Sequence, residues 1–343
     1  MKTTIKDVAK LAGVSFKTVS RVINHEPNVA PKLQEQVWAA VKELNYQPNR
    51  SARLLRGTAS SLGLIYDNPN SHYIIELQNG ILKECHKHGF ELIIHPCEAT
   101  SKNIVDEILS MTQRSQVAGL VLTPPLSEMP EVIDELQQAG VVLVRIISAQ
   151  QADTISSCVF IDDHRAAYQI TQHLIDLGHK DIAFLGGDID HRSSLERKDG
   201  YLNALKDNKL EANAELILDG RYSFESGVAN SDILLQQDKR PSAIFACNDE
   251  IAAGTLFTAR RLGLEVPSDL SIAGFEDSPF SRQSWPQLTT SQQAGREIAQ
   301  KAAGILIDEI RQRKKSTQGY AWQGYGFCPQ LVERDSTGPK TTE

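Results

Sequence analysis

The chain has 343 residues, a net charge of −7, and apolar and charged fractions of 41% and 23%, those of a soluble globular protein. That length predicts two or three domains. It contains no apolar run of the ~18 residues a membrane span needs, and its lysine-interrupted start, MKTTIKDVAKLAG, lacks a signal-peptide core, so a cytoplasmic protein is expected.

Five widely spaced cysteines without a C-x-x-C pair suggest neither a disulfide framework nor a zinc site. Charge is distributed unevenly. Residues 1–59 hold ten Lys/Arg against four acids, a net of +6, which leaves −13 on the rest of the chain. A basic head on an acidic body suggests that the head alone meets a polyanion.

The head reads as helix throughout. Ile5, Val8, Ala9 and Ala12 share one face, Thr4 and Asp7 form an approximate capping box, and Gly13 ends the helix. Ser15 is the next N-cap, and a third helix starts near Pro31, running through Leu33, Val37, Val41 and Leu44. Three short helices joined this way form a helix-turn-helix unit. In the second helix Val19, Val22 and Ile23 share an inward arc. Lys17, Arg21 and Asn24 lie opposite, with Ser20 near them and Phe16 at the N-terminal margin. Such a face can be merely solvated. Arg or Lys opposite guanine and Asn opposite adenine would make it a DNA reader.

NYQPNRSARLLRG follows. Ser51 to Arg56 is too short for a stable isolated helix, yet it carries Arg53 and Arg56 beside Leu54 and Leu55, with Arg50 just before it. It reads either as a charged linker or as an element that folds on DNA, with a leucine wedged into the minor groove.

From residue 62 onward, β-rich runs (SLGLIY, FELIIH, VAGLVL, VVLVRII, CVFID, DIAFLG, AELILDG, SAIFAC, LSIAGF) alternate with helix-length segments. This is the rhythm of βαβ units with parallel sheets, too many for one small doubly wound sheet, so two similar lobes or a closed barrel are expected. Ligands in such folds bind at the carboxyl ends of the strands. LGGDIDH is not G-x-G-x-x-G, and the chain has no P-loop, G-x-S-x-G or H-E-x-x-H. The adjacent residues of IDDHR cannot converge on one ion and read as a helix N-cap. No enzyme activity, catalytic residue, metal or cofactor is expected.

TIKDVAKLAGVSFKTVSRVIN together with LNYQPNRSARLLRG resembles the head and hinge of the LacI/GalR family of bacterial transcription regulators. HLIDLGHKDIAFLGG, ERKDGYLNAL, AIFACNDEIAAGTLFTARRLGLEVPSDLSIAGFED, LTTSQQ and LVERDST resemble later family motifs in the family's order. The resemblance implies an all-α helix-turn-helix head (1–48), a hinge (49–60) and a two-lobed Rossmann-like core of the periplasmic-binding-protein kind (61–335). The first lobe would comprise about 61–160 and 292–320, the second about 161–291 and 321–335, with 336–343 a disordered tail.

It further implies a dimer on pseudo-palindromic operator DNA, controlled by a small effector. A tetramer is not expected, because no heptad extension follows LVERDST. Carried over by position, the DNA contacts are Phe16 and Lys17 (operator choice), Thr18, Ser20, Arg21, Asn24, Ala52, Arg53 and the intercalating Leu55. Ala30, Leu33 and Gln34 depart from the family's usual Ser, Thr and Arg. The effector residues would be Tyr73, Thr123, Arg197, Tyr222, Asn248, Glu276 and Gln293, with Phe224 and Trp285 as stacking candidates. Glu276 stands where the family more often has Asp. Arg145 stands where an apolar strand usually ends in Asp, and it could meet an acidic ligand group or Glu276. A sugar-responsive repressor is the expected function, a nucleobase-responsive one the alternative. A solute-binding transport component and a sugar-processing enzyme are rivals, disfavoured by the basic head and the missing catalytic motifs.

Overall fold

The computed structural model describes residues 3–23, 29–44, 46, 61–67, 72–313 and 321–340. The head comprises α1 (Ile5–Leu11), α2 (Phe16–Ile23) and α3 (Pro31–Glu43). The Thr4 amide donates to Asp7 Oδ2 at 2.8 Å and Ser15 Oγ accepts from the Thr18 amide at 3.1 Å, so side chains start the first two helices. Ala30 offers no side-chain cap to α3. Gln34, one of the departures from the family pattern, instead donates to Val29 O at 2.8 Å. Val8, Val19, Val22 and Val37 form the small core of the head.

The core holds two parallel sheets. In chain order its elements are β1 (Ser61–Tyr66), α4 (His72–His88), β2 (Glu91–Pro96), α5 (Ile104–Arg114), β3 (Val117–Leu122), α6 (Pro130–Gln138), β4 (Leu143–Ser148) and β5 (Cys158–Ile161). Next come α7 (Asp163–Asp176), β6 (Ile182–Leu185), α8 (Arg192–Asp207), β7 (Ile217–Leu218), α9 (Phe224–Leu235), β8 (Ala243–Ala246), α10 (Asp249–Arg261), β9 (Ser271–Ala273) and α11 (Pro279–Gln283). Last are β10 (Thr290–Gln292), α12 (Gly295–Arg313), β11 (Gly324–Phe327) and β12 (Gln330–Val332). The first sheet has the order β11-β5-β4-β3-β1-β2 and the second β7-β6-β8-β9, while β10 and β12 form a separate antiparallel pair. The expectation of two lobes rather than a closed barrel therefore holds.

Helices cover both faces of the first sheet, which is why its inner strands β1, β3 and β4 are buried without alternation. Leu62, Leu64, Val121 and Val144 pack against α4 and α12, whereas Ile65, Leu120 and Leu122 pack with residues of α5 and α6. In the second lobe Phe184 stacks on Tyr201 at 5.3 Å and meets Phe245 edge-on at 5.4 Å. Two glycines set the helix spacing: a Cβ on Gly80 would lie 2.3 Å from Arg296 O, and one on Gly200 2.2 Å from His164 O.

The chain passes between lobes at β5–α7, at β10–α12 and at β11–β12. β11 pairs in register with β5, which moves 321–327 from the second lobe, where the sequence places it, into the first. A parallel partner 166 residues away is not visible in local pattern. The tail differs from expectation too. Ser336 is fully buried and accepts from the Thr289 amide at 2.8 Å, and the Lys340 amide donates to Leu177 O, so the chain is docked through 340. Among the described residues, no helix is long and apolar enough to cross a membrane.

Candidate functional site

Two places bear on function. The first is the outer face of α2. Val19 and Val22 are buried at 0% and 4% exposure, while Phe16 stands 58% exposed with Lys17 and Arg21 also on the surface. Thr18 and Ser20 are half-buried beside them. The face thus offers two cations and an aromatic at one helix end, the chemistry of base-edge and phosphate contact. Asn24, Ala52, Arg53 and Leu55 lie outside the described residues.

The second is a cavity of about 100 Å³ between the lobes, lined from both sheets' carboxyl ends and from the segment after β10. Tyr73, Arg197, Tyr222, Asn248, Glu276 and Gln293 all line it. The structure thus gathers six of the ten expected positions, drawn from a span of 221 residues of chain.

Arg197, from the first half of α8, is buried. Its Nε and Nη2 reach Asp163 Oδ1 at 2.9 and 2.8 Å, its Nη1 donates to Cys247 O at 2.7 Å, and the guanidinium lies 3.7 Å from the Phe275 ring centre. Burial works against this charge, but the Asp163 carboxylate together with Tyr222, Cys247 and Glu276 more than offsets it, so the guanidinium stays protonated. Asp163 Oδ2 in turn accepts from Ser148 Oγ at 2.6 Å, which ties the end of β4 to the second lobe.

Tyr222 lies on Gly187, where a Cβ would come within 2.4 Å of its ring, and its hydroxyl meets Ser194 Oγ at 2.8 Å and Ser193 Oγ at 3.1 Å. His191 approaches that ring edge-on at 5.8 Å, and burial lowers its pKa, which keeps it neutral. Asn248 caps α10, its Oδ1 accepting from the Ile251 amide at 2.9 Å.

Glu276 sits in a turn with φ of +107°, followed by Asp277 at +55°, a backbone that non-glycine residues adopt only where the surroundings enforce it. Here the Glu276 amide donates to Ser291 O and its carbonyl accepts from the Gln293 amide, so the turn is stitched to β10. The Glu276 carboxyl has no hydrogen-bond partner among the described residues. Burial pushes its pKa up to about 8, against the pull of Arg197. Asp277 faces away and accepts from Arg334 (2.5 Å), Gln292 (3.0 Å) and Ser281 (3.1 Å), with Arg282 3.1 Å off. A wider chamber of about 430 Å³ adjoins the cavity and shares Tyr73, Glu276 and Gln293 with it.

Four expected positions do not line the cavity. Thr123 is fully buried and donates to Ile65 O at 3.2 Å; the next residue, Pro124, takes its place in the wall. Arg145 was expected at a ligand or at Glu276. It stands three residues, or about 10 Å, short of the end of β4. There it binds Ser156 Oγ at 2.7 Å, Ser127 O at 3.2 Å and the Asp153 carboxylate, pinning the loop before β5. Phe224 opens α9, and the turn made by the Ser223 cap sends its ring to Phe257 at 5.8 Å. Trp285 is 76% exposed in a groove with Arg260 and Leu264, at the far end of α10, about 18 Å from its start.

Asp163, Ser148, His191, Ser193 and Asp67 line the cavity without having been expected there. One signal existed. A buried Arg197 needs a carboxylate, and IDDHR supplies two: Asp162 caps α7, accepting from the Arg165 amide at 2.9 Å, and Asp163 takes the arginine.

Residues 4–49 match the model for bacterial regulatory proteins of the lacI family, and 171–337 match a periplasmic binding protein-like domain. The chain is 36% identical over 334 residues to the HTH-type transcriptional repressor PurR of Actinobacillus pleuropneumoniae serotype 3 (strain JL03), covering 97% of this chain and 98% of that protein. It is 33% identical to the repressor of the same name from Haemophilus influenzae (strain ATCC 51907 / DSM 11121 / KW20 / Rd), at 97% and 98% coverage. Among solved structures, a lac repressor dimer bound to operator and the anti-inducer ONPF superimposes with a TM-score of 0.75 at 27% identity, covering 98% of this chain and 100% of that one. A transcriptional regulator CelR–cellobiose complex does so at 0.73, 27% identity and the same coverage.

Proposed function

This chain belongs to the LacI family of bacterial regulatory proteins, a DNA-binding transcriptional repressor and not an enzyme, and from that premise we propose that a sugar or sugar derivative held between its lobes controls its grip on the operator. The observation that carries the reading is the inter-lobe cavity, where Tyr73, Arg197, Asn248, Glu276 and Gln293 meet. Donors, acceptors and an aromatic wall around a small space suit a hydroxyl-rich ring. The solved CelR complex with cellobiose is consistent with this.

The repressor acts as a homodimer in the cytoplasm, each α2 entering one half-site of a pseudo-palindrome, with Phe16 and Lys17 choosing bases and Thr18, Ser20, Arg21 and Asn24 docking the helix. Ala52, Arg53 and Leu55 complete the contact at the operator centre. Exposed apolar side chains in both lobes, Ile75 and Ile94 in one, Phe257 and Phe280 in the other, favour the dimer. Occupancy of the cavity reaches the hinges by changing the angle between the lobes.

A nucleobase is the second reading, favoured by the edge-on pair of His191 and Tyr222, against which a planar base would stack. Thermal-shift measurements on the full chain against monosaccharides, disaccharides and nucleobases decide between them, because a ligand that prefers the folded state raises the melting temperature. Stabilisation by a sugar that also alters salt-dependent DNA binding supports the proposal; stabilisation by nucleobases alone replaces it.

A further inference from the structure

The cavity carries more acid than base. Asp67, Asp163, Glu250 and Glu276 face it, against Arg197 and a neutral His191. Arg197 is already committed: two of its nitrogens bind Asp163, the third binds Cys247 O, and its face covers Phe275. It neutralises Asp163, and three of its five N–H groups are spent within the protein, leaving one each on Nη1 and Nη2. Asp67 Oδ2 accepts from the Ala99 amide at 2.9 Å. In the adjoining chamber Arg296 is held by Glu76 at 3.0 Å and Arg282 by Asp277 at 3.1 Å, while Glu297 adds a further acid. Among the described residues, every arginine that faces either space already has an acidic partner, and no lysine faces them. Two carboxyls facing the cavity have no hydrogen-bond or ion-pair partner among the described residues, Glu250 and Glu276, and of these Glu276 stands on the wall common to both spaces.

A phosphate or carboxylate on the ligand would meet four acids and a single cation already paired with Asp163, and its desolvation would be poorly compensated. Resting on the reading of the cavity as a sugar-class effector site, we propose that the effector carries a protonated amine that pairs with the Glu276 carboxylate, and that amino sugars are its class.

A carboxyl drawn out of water among more acids than cations takes up a proton instead. The groups facing Glu276 are Arg197, Asp163, Asp249, Glu250 and Tyr73, and their acids reinforce burial in holding that proton. An ammonium entering the cavity replaces it: the carboxylate forms an ion pair with the ligand N–H donors, and one proton leaves to solvent. The reach of glutamate, one methylene longer than aspartate, brings the carboxylate to the junction with the wider chamber, where an amine on a hexose ring has room.

The test compares glucosamine, galactosamine and mannosamine with their parent hexoses and with the hexose 6-phosphates, by thermal shift and calorimetry on the full chain. At least one amine is expected to bind about tenfold or more tighter than its parent hexose. It should release a proton near neutral pH, seen as a binding enthalpy that varies with the ionisation enthalpy of the buffer. Glu276→Gln should remove both the tenfold preference and the proton release. The calorimetric proton count needs only the unaltered chain, so it stands even if that variant folds poorly. Amines that bind no better than their parents, including no binding by either, overturn the proposal, as does preferential binding of the phosphates. Tight binding of a neutral hexose without an amine preference would reject the amine and leave the sugar reading intact. Nucleobase binding alone would reject both.

Discussion

Asp163 and Arg197 form the pair on which the cavity is built. With side chains 1% and 4% exposed, neither has water to replace a lost partner. Asp163→Ala is expected to destabilise the core by about 3–5 kcal/mol in urea unfolding, because it leaves a buried guanidinium with only the Cys247 carbonyl; a loss below ~1 kcal/mol would deny the pair its role. Glu276 behaves oppositely. Its folded-state pKa of about 8 lies above the ordinary carboxylate value, so the folded chain holds a proton that the unfolded chain gives up. Its contribution is therefore most favourable in acid and is lost as pH rises toward 8. Asp249 and Glu128, each pushed by burial to about 7, act in the same direction. Without effector, the chain should lose stability between about pH 5 and 8. Glu276→Gln should flatten that slope and melt higher than the unaltered chain at its alkaline end; an unchanged slope in thermal melts refutes the assignment.

At the level of elements, close helix contacts aim the site. α4 carries Tyr73 and α12 follows Gln293, and the two helices touch at Gly80, whose missing side chain lets the Arg296 backbone approach. Gly80→Ala would place a methyl 2.3 Å from that carbonyl, and backbone cannot rotate out of the way as a side chain can. A loss of about 1–3 kcal/mol is expected in chemical denaturation, with weakened effector binding. Neutral behaviour would mean that the helices part without cost. In α2 the division of labour was legible from residue spacing alone, since a helix period places Val19 and Val22 inward and Lys17 and Arg21 outward whatever the neighbours are. Strands carried less information. The apolar run containing Arg145 announced a buried strand, but its distance from the sheet edge depends on pairing with β3 and β5.

For the molecule as a whole, the turn Glu276–Asp277 joins ligand site to pivot. Glu276 faces the cavity, while Asp277 holds Gln292 on one crossing segment and Arg334 beyond another. On the proposed mechanism, a ligand that draws on the first residue would load the second, and with it the angle between lobes, which the hinge would read on DNA. Leu55→Ala is expected to weaken operator binding by at least tenfold while leaving non-specific binding within about twofold, as measured by salt-controlled titration of specific and random duplexes. Equal losses on both would reject the wedge.

The sequence by itself determined the helical head, its inward and outward faces, the alternation of strand and helix, and half of the cavity's polar residues. Each of these rests on local periodicity or on a short motif. Only the tertiary structure decided which charges are spent on the protein and which are open to a ligand. Arg197 is committed to a carboxylate 34 positions away, and Asp277 to an arginine 57 away. Arg145, equally charged and equally buried, is committed to a loop outside the cavity. A buried charge must find its partner wherever the fold brings one, and that choice is made by the packing of two lobes rather than by neighbours in the chain.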